Sequence, residues 1–265
     1  MNNNSPWKKD IPHPAFPLLE SDVPVWRYTD LAKFIWTLSN RKLYLCRADR
    51  LGDRFEGSVP QRDQSRMLDV MKNMGDKHGV VLSREEVSRQ VSPRMRALRL
   101  AYIHSSYINC WRHGDESEAM WRLYCGQNEG VAMMTTFGRL NDSITDAATR
   151  LGAVNYLDYG SELLPDENWL QPIMHKRLAF KHEQEIRLFR WLQEETDMLL
   201  GSSGSGLSPK GHEMDWNPDI TLDRVIISPF APDWYSDVIH TVVAKFAPDL
   251  VEKVAWSELR ADPIY

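Results

Sequence analysis

The chain has 265 residues, 42% of them hydrophobic and 26% charged, with a formal net charge of −5. That length suits one large domain or two small ones with a substantial core, and the acidic balance argues against a broad phosphate-binding surface. No run of about 18 apolar residues is present, the N-terminus lacks a signal peptide's apolar centre, and Cys46, Cys110 and Cys125 show neither metal-like spacing nor an even-numbered disulfide framework.

These features predict a soluble, cytoplasmic protein with reduced thiols, no membrane association, no bound metal and no nucleic-acid partner. Residues 1–24 carry Pro6, Pro12, Pro14, Pro17 and Pro24 with little periodicity and read as an extended arm ahead of one domain over 25–265. Val25-Trp26-Arg27-Tyr28-Thr29 is a short aromatic and β-branched strand. Asp30 caps a helix over about 30–39, with Leu31, Phe34, Ile35 and Leu38 on one stripe. A second strand covers about 43–46, and the segment from Arg47 to Gly57 is a shaped loop punctuated by Gly52-Asp53 and Gly57.

Residues 61–100 are helical in tone and form an insertion capping the sheet. Met67, Leu68, Met71 and Met74 share a face, Ser83 caps a second helix, and Pro93 starts a third, basic one with Arg94, Arg96 and Arg99. Strands are expected over 102–110, 130–136, 222–228 and 251–256, and 153–157 is strand-like. Short helices are expected over 116–124, 138–150 and 237–246, and another within 166–180, which Pro172 starts. Gly201 to Gly206 reads as a flexible loop tip. The irregular mixture gives an α+β class, with a mixed or antiparallel sheet and a helical insertion.

The stretch from His175 to Arg187 carries the chemistry. From Gln184 the apolar positions alternate, Ile186 and Leu188 on one side against Glu183, Glu185 and Arg187 on the other, over a strand at 183–192. On such a strand the two glutamates share a face with roughly 7 Å between their Cβ atoms, beside one arginine. The competing reading is a ladder of exposed charges. Asp49, Asp53, Glu56, Glu183 and Glu185 would make a Mg²⁺ site for a nuclease if the fold brought them together. Ten tryptophans supply core, stacking surface or both.

Several motifs together resemble the DUF2971 family of uncharacterised bacterial proteins. They are Trp26-Arg27-Tyr28-Thr29-Asp30, Arg47-Ala48-Asp49 through Asp53-Arg54-Phe55-Glu56-Gly57, Asn109-Cys110-Trp111, Ala119-Met120-Trp121, Gly130-Val131-Ala132 and His182-Glu183-Gln184-Glu185-Ile186-Arg187. The order of a basic-aromatic strand, a serine strand and a Glu-x-Glu strand is also similar to ADP-ribosyltransferases of the arginine–serine–glutamate type. That resemblance implies an ADP-ribosyltransferase-like fold, with NAD as substrate for transfer or glycohydrolysis. It implies Arg27 on the NAD phosphates or ribose, Ser105 or Ser106 shaping the nicotinamide pocket, and Glu185 polarising the ribose hydroxyl with Glu183 beside it. The middle motif here is Ser-Ser-Tyr where those enzymes have Ser-Thr-Ser.

Tyr28, Trp111, Trp121 and Tyr124 are the candidate stacking residues, and Asn109 and Arg187 complete the candidate site. Arg27, Tyr28, Ser106, Trp111 and Glu185 are then expected to line one concavity. A toxin or phage-defence role fits a small bacterial NAD-using enzyme. The alternative is a non-catalytic module that holds a nucleotide or a partner protein; the acceptor of any transfer stays open.

Overall fold

The computed structural model describes residues 12–125, 129–165, 168–201 and 211–262. The arm is tied down where it is described. Ala15 and Phe16 are buried, Phe16 lies 5.4 Å from Phe189 between ring centroids, and the Pro17 carbonyl accepts a hydrogen bond from the Ala153 amide.

Strand β1 (Pro24–Asp30) leads into helix α1 (Leu31–Asn40), whose first turn is capped as expected: the Asp30 carboxylate accepts from the Lys33 amide at 2.8 Å. Strand β2 (Lys42–Arg47) follows, then the loop to Gly57. Gly57 has φ of +62° and would press a Cβ to 2.9 Å from Ile103, so the loop can turn there only without a side chain.

Helix α2 (Gln61–Lys77) and helix α3 (Arg84–His104) form an antiparallel hairpin. The Ser83 cap closes a capping box with Glu86. Pro93, expected to start a helix, lies inside α3 instead. It removes one backbone donor, but it is exposed, and burial of Ala101 and Ile103 anchors the helix beyond it. Residues 102–104 therefore complete α3, and strand β3 (Ser106–His113) begins later than the sequence pattern suggests.

Helix α4 (Glu118–Tyr124), strand β4 (Gly130–Thr136), helix α5 (Phe137–Asp142), strand β5 (Thr149–Ala153) and strand β6 (Asn155–Leu157) come next. The helix expected over 138–150 is thus short, because 149–153 pairs with the later strand over Glu185–Trp191. The helix expected within 166–180 is not found over the described part of that range. A single 3-10 turn at Gln171–Ile173 leads into strand β7 (His175–Arg177), which pairs in parallel with β6, and a second 3-10 turn covers Leu178–Glu183. Backbone pairing to β6 outweighs the start signal of Pro172.

Strand β8 (Glu185–Trp191) starts after Gln184, which sits in the left-handed region at φ 41°. Helix α6 (Gln193–Leu200) ends at Gly201, and the rest of the glycine–serine stretch lies outside the described residues. Strand β9 (Gly211–Asp215), helix α7 (Pro218–Thr221), strand β10 (Arg224–Ile227), helix α8 (Trp234–Phe246) and strand β11 (Val254–Trp256) complete the order. Residues 251–253, expected as strand, belong to a 3-10 turn over Pro248–Lys253.

The class is α+β, with a mixed, mostly antiparallel sheet in the order β11-β10-β4-β1-β3-β2-β9; β8 joins β3, and β5 joins β8. The sheet forks at β3. One edge of β3 pairs fully with β8, from Ser106↔Trp191 to Arg112↔Glu185. The other edge holds β1 only at Val25↔His113 and Trp26↔Arg112, and β2 only at Cys46↔Ile108 and Arg47↔Tyr107. Between those contacts β1 and β2 splay apart. Ile186, Leu188, Tyr107 and Trp111 face the main core with Val25, Leu43, Val225 and Ile239. Phe189 and Ile108 face a second cluster with Phe16, Ile173 and Met174. Among the described residues no helix is long and apolar enough to cross a membrane.

Candidate functional site

Because β8 alternates, Glu185 and Arg187 fall together on the face opposite Ile186 and Leu188. That face is interior, and the exposed charge ladder is corrected: Arg187 is 0% exposed and Glu185 3%. Charges there persist only if paired and hydrogen-bonded. Arg187 meets the requirement with its whole guanidinium. Its Nη1 and Nη2 donate to Glu56 Oε1 and Oε2 at 2.5 and 3.0 Å, its Nε and Nη2 donate to Glu185 Oε1 and Oε2 at 2.8 and 3.2 Å, and Nη1 also donates to the Ile173 carbonyl.

Lys176, from β7, bridges the two glutamates of the motif. Its Nζ lies 2.5 Å from Glu183 Oε2 and 3.0 Å from Glu185 Oε2. The strand expected from 183 begins only at Glu185, so the two carboxylates are not neighbours on one pleat. Gln184, turned into the left-handed region, swings Glu183 off the strand, and Lys176 gathers both. Gln184 is held by its own contacts: its Oε1 accepts from Arg112 Nη2 at 2.6 Å and its carbonyl from the His113 amide at 3.0 Å.

Electrostatics separate the carboxylates. Burial pushes Glu185 up, but Arg187 and Lys176 outweigh it, with help from the Cys110 thiol that donates to the carboxylate, and hold it at about 2. Burial also raises Glu56, and there the pull of Arg187 does not fully offset it. Burial alone would lower Lys176, yet Glu185 and Glu183 carry it above the ordinary lysine value. Three carboxylates against two cations leave the cluster one negative charge in excess when all are ionised.

The cluster reaches the surface at Glu183, whose side chain is 12% exposed. Tyr124, itself 46% exposed, donates its hydroxyl to Glu183 Oε1 at 3.4 Å. The centre of the Phe180 ring lies 5.0 Å from Lys176 Nζ. Beyond it, the Arg177 guanidinium is 4.1 Å from the centre of the Phe55 ring and pairs with Asp53 at 2.7 Å. The mouth is thus a carboxylate beside a phenol, with a lysine behind it that also approaches a phenyl ring.

The other expected site residues scatter. Arg27 is half-buried in the fork between β1 and β2, where its Nη1 donates to the Cys110 carbonyl at 2.8 Å and burial lowers its pKa. Arg27 and Glu185 therefore both contact Cys110, one through the backbone and one through the thiol. Tyr28 packs edge-on against Trp121 with centroids 4.9 Å apart, and its hydroxyl accepts from the Ser117 amide. Trp121 is core, with its Nε1 on Glu116 at 2.7 Å.

Asn109 and Trp111 lie across the sheet from Glu185, hydrogen-bonded to each other at 2.8 Å, with Trp111 in the main core. Ser105 joins Thr196 at 2.6 Å at the root of α6. Ser106 lies opposite Trp191 at the far end of β3 from Glu185, its Oγ buried without a hydrogen-bond partner among the described residues. The single concavity expected of Arg27, Tyr28, Ser106, Trp111 and Glu185 is not formed, because alternation along β3 sends Trp111 to the opposite face and strand length separates Ser106 from Glu185.

The five carboxylates considered for Mg²⁺ are distributed among protein cations: Asp49 on Arg47, Asp53 on Arg177, Glu56 on Arg187, Glu185 on Arg187 and Lys176, and Glu183 on Lys176. Among the described residues no group of three or more metal-ligating side chains is gathered. Sequence reading missed Lys176 and Phe180 as site residues, although both stand inside the same charged stretch, and missed Glu56 as the partner of Arg187. The available signal was the glycine-marked turn that presents Glu56. The chain matches no protein-family model, no curated protein and no solved structure.

Proposed function

We propose that this protein binds NAD at the Glu183–Tyr124 mouth and breaks its nicotinamide glycosidic bond, passing the ADP-ribosyl group to water or to an acceptor. The observation that carries the reading is Glu183: a surface-reaching carboxylate fixed by Lys176 at 2.5 Å, beside an exposed phenol, over a cluster with excess negative charge. The nicotinamide ring of NAD is a cation, and aromatic rings with a carboxylate suit it. When the C1′–N bond breaks, its electron pair leaves with nicotinamide and positive charge develops on the ribose, which a nearby carboxylate stabilises. In this reading Glu183, not Glu185, faces the ribose. Glu185 is a positioning residue that holds Lys176, and Arg187 and Glu56 hold Glu185. The motif order similar to arginine–serine–glutamate transferases supports NAD as the ligand to test first.

The test is nicotinamide release by the full chain. Glu183→Gln should lower it by about 10²–10³-fold, well beyond any loss of NAD binding, since the ribosyl charge appears only in the transition state. Wild-type protein that neither binds nor cleaves NAD overturns the proposal. A second reading, a non-catalytic nucleotide-binding module, is favoured by one observation: Arg187 and Glu185 are consumed by mutual pairing. It predicts that NAD raises the melting temperature without release of nicotinamide.

A further inference from the structure

Phe55 stands out to solvent on a loop whose other anchors point inward. Asp53 and Glu56, which bracket it, are buried against Arg177 and Arg187. The Phe55 amide donates to Asp53 Oδ1 at 2.9 Å, the Ser58 amide donates to the Phe55 carbonyl at 2.9 Å, and Arg99 Nη2 donates to the Glu56 carbonyl at 2.7 Å. The Phe55 side chain is nonetheless 47% exposed, and folding gains little from a phenyl ring left half in water. The Arg177 guanidinium lies over that ring, 4.1 Å from its centre, and 5.3 Å from the centre of the Phe180 ring. The Phe180 ring lies 5.0 Å from Lys176 Nζ, which holds Glu183. Phe55, Arg177, Phe180 and Lys176 therefore form a continuous row that reaches the Glu183 mouth in steps of 5.3 Å or less.

Charge changes sign along this row. At the Glu183 end three carboxylates share two cations. At the Phe55 end Arg177 is matched by Asp53 alone, and Arg54 and Lys181, the chain neighbours of the two phenylalanines, are exposed and form no ion pair among the described residues. A ligand complementary to both ends carries a cationic ring at one end and a planar ring with anionic groups at the other. The adenine half of a dinucleotide has that second composition, and a purine stacks on a phenyl ring or a guanidinium plane alike. A ring already pinned by its loop and by Arg177 loses little freedom when a base stacks on it. A protein partner fits less well, since Phe55 and Leu178 are the only large apolar side chains exposed along these two segments, too few for the core of a stable interface. We infer that the Phe55–Arg177–Phe180 stack seats the adenine of NAD, with the phosphates toward Arg54 and Lys181. This rests on the NAD reading above and gives the ligand its second anchor.

The probe is etheno-AMP, a fluorescent analogue of AMP, titrated with the full chain beside ribose phosphate, which has the anion and no base. Etheno-AMP should bind with quenching of its fluorescence, and ribose phosphate should bind at least about tenfold more weakly, the scale of one lost stacking contact. Phe55→Ala should weaken etheno-AMP by about tenfold, and Phe55→Trp, which keeps a stacking face, should restore it. Arg54→Glu with Lys181→Glu should weaken etheno-AMP more than adenosine. All three positions are exposed, so the melting temperature should hold and a loss of binding reports the site. In nicotinamide release, Phe55→Ala should raise KM for NAD about tenfold more than KM for nicotinamide mononucleotide, which lacks the adenine. The inference is overturned if etheno-AMP does not bind or binds no better than ribose phosphate, if Phe55→Ala binds it as wild type does, or if KM rises equally for both substrates. Failure of the NAD reading shows separately. Etheno-AMP binding that depends on Phe55, in a protein that releases no nicotinamide, keeps this site and removes the cleavage; nicotinamide release without etheno-AMP binding keeps the cleavage and removes this site.

Discussion

Arginine meets carboxylate in two regions of this molecule under opposite conditions. On β8, Arg187 shares its guanidinium between Glu56 and Glu185 with no exposure to solvent. On the hairpin, Arg84 faces Asp69 at 3.1 Å with the two side chains 53% and 58% exposed. The distances are comparable and the stakes are not. Water screens and replaces the exposed pair, whose contribution is under about 1 kcal/mol. The buried set has no such replacement, so each member holds the others in place, and loss of one strands the rest. In this chain a charge pair organises structure where the sheet has already removed the water.

The largest expected effect breaks the buried side of that contrast. Arg187→Leu leaves buried Glu56 without its cation and Glu185 with Lys176 alone, and should cost about 3–5 kcal/mol in urea unfolding. A midpoint shift no larger than that of a hairpin variant would remove the distinction.

Acid titration sharpens it. Glu185, held at about 2, is depressed below its unfolded value, so its contribution is complete above about pH 4.5 and is lost as pH falls through about 2. By linkage that amounts to ~3 kcal/mol. Glu56 acts with opposite sign: its raised pKa makes the ionised form costly at neutral pH, and protonation relieves that cost as pH falls. Stability measured against pH should therefore fall less steeply between pH 4.5 and 2 in Glu185→Gln than in wild type; an unchanged slope would show that Glu185 does not govern this window.

Two hairpin variants complete the series. Ser83→Ala removes the cap that receives the Glu86 amide at 3.3 Å and should cost about 1 kcal/mol, seen as faster amide exchange over the first turn of α3 with the β8 amides unaffected. Arg84→Ala should change stability by less than about 0.5 kcal/mol. A loss of several kcal/mol there would mean the hairpin pair is as organising as the buried one.

Rules of short range were legible in advance. Asp30 caps α1, Ser83 caps α3, and the runs at 25–29, 43–46 and 130–136 are strands, because capping and period-two patterns are decided within a few residues. Pro93 and the segment from Gln171 to Glu183 were not legible. An exposed proline in a helix anchored beyond it costs one hydrogen bond and no boundary, and β7 exists only because β6 lies beside it.

The candidate site divides in the same way. The sequence by itself determined that Glu185 and Arg187 share a face, since alternation along a strand is a local property, and it determined the charge types that any site on that strand has to use. Which side of the sheet is interior, and hence whether those charges are ladder or core, was decided only when Ile173, Met174 and the Gly57 loop closed over β8. Tertiary structure likewise brought Glu56 to Arg187 from 131 positions away and sent Trp111 to the opposite face. It also turned Gln184 left-handed, so that Lys176 and not the pleat joins Glu183 to Glu185. Burial and long-range pairing depend on what packs from distant parts of the chain, and no window of neighbouring residues contains that information.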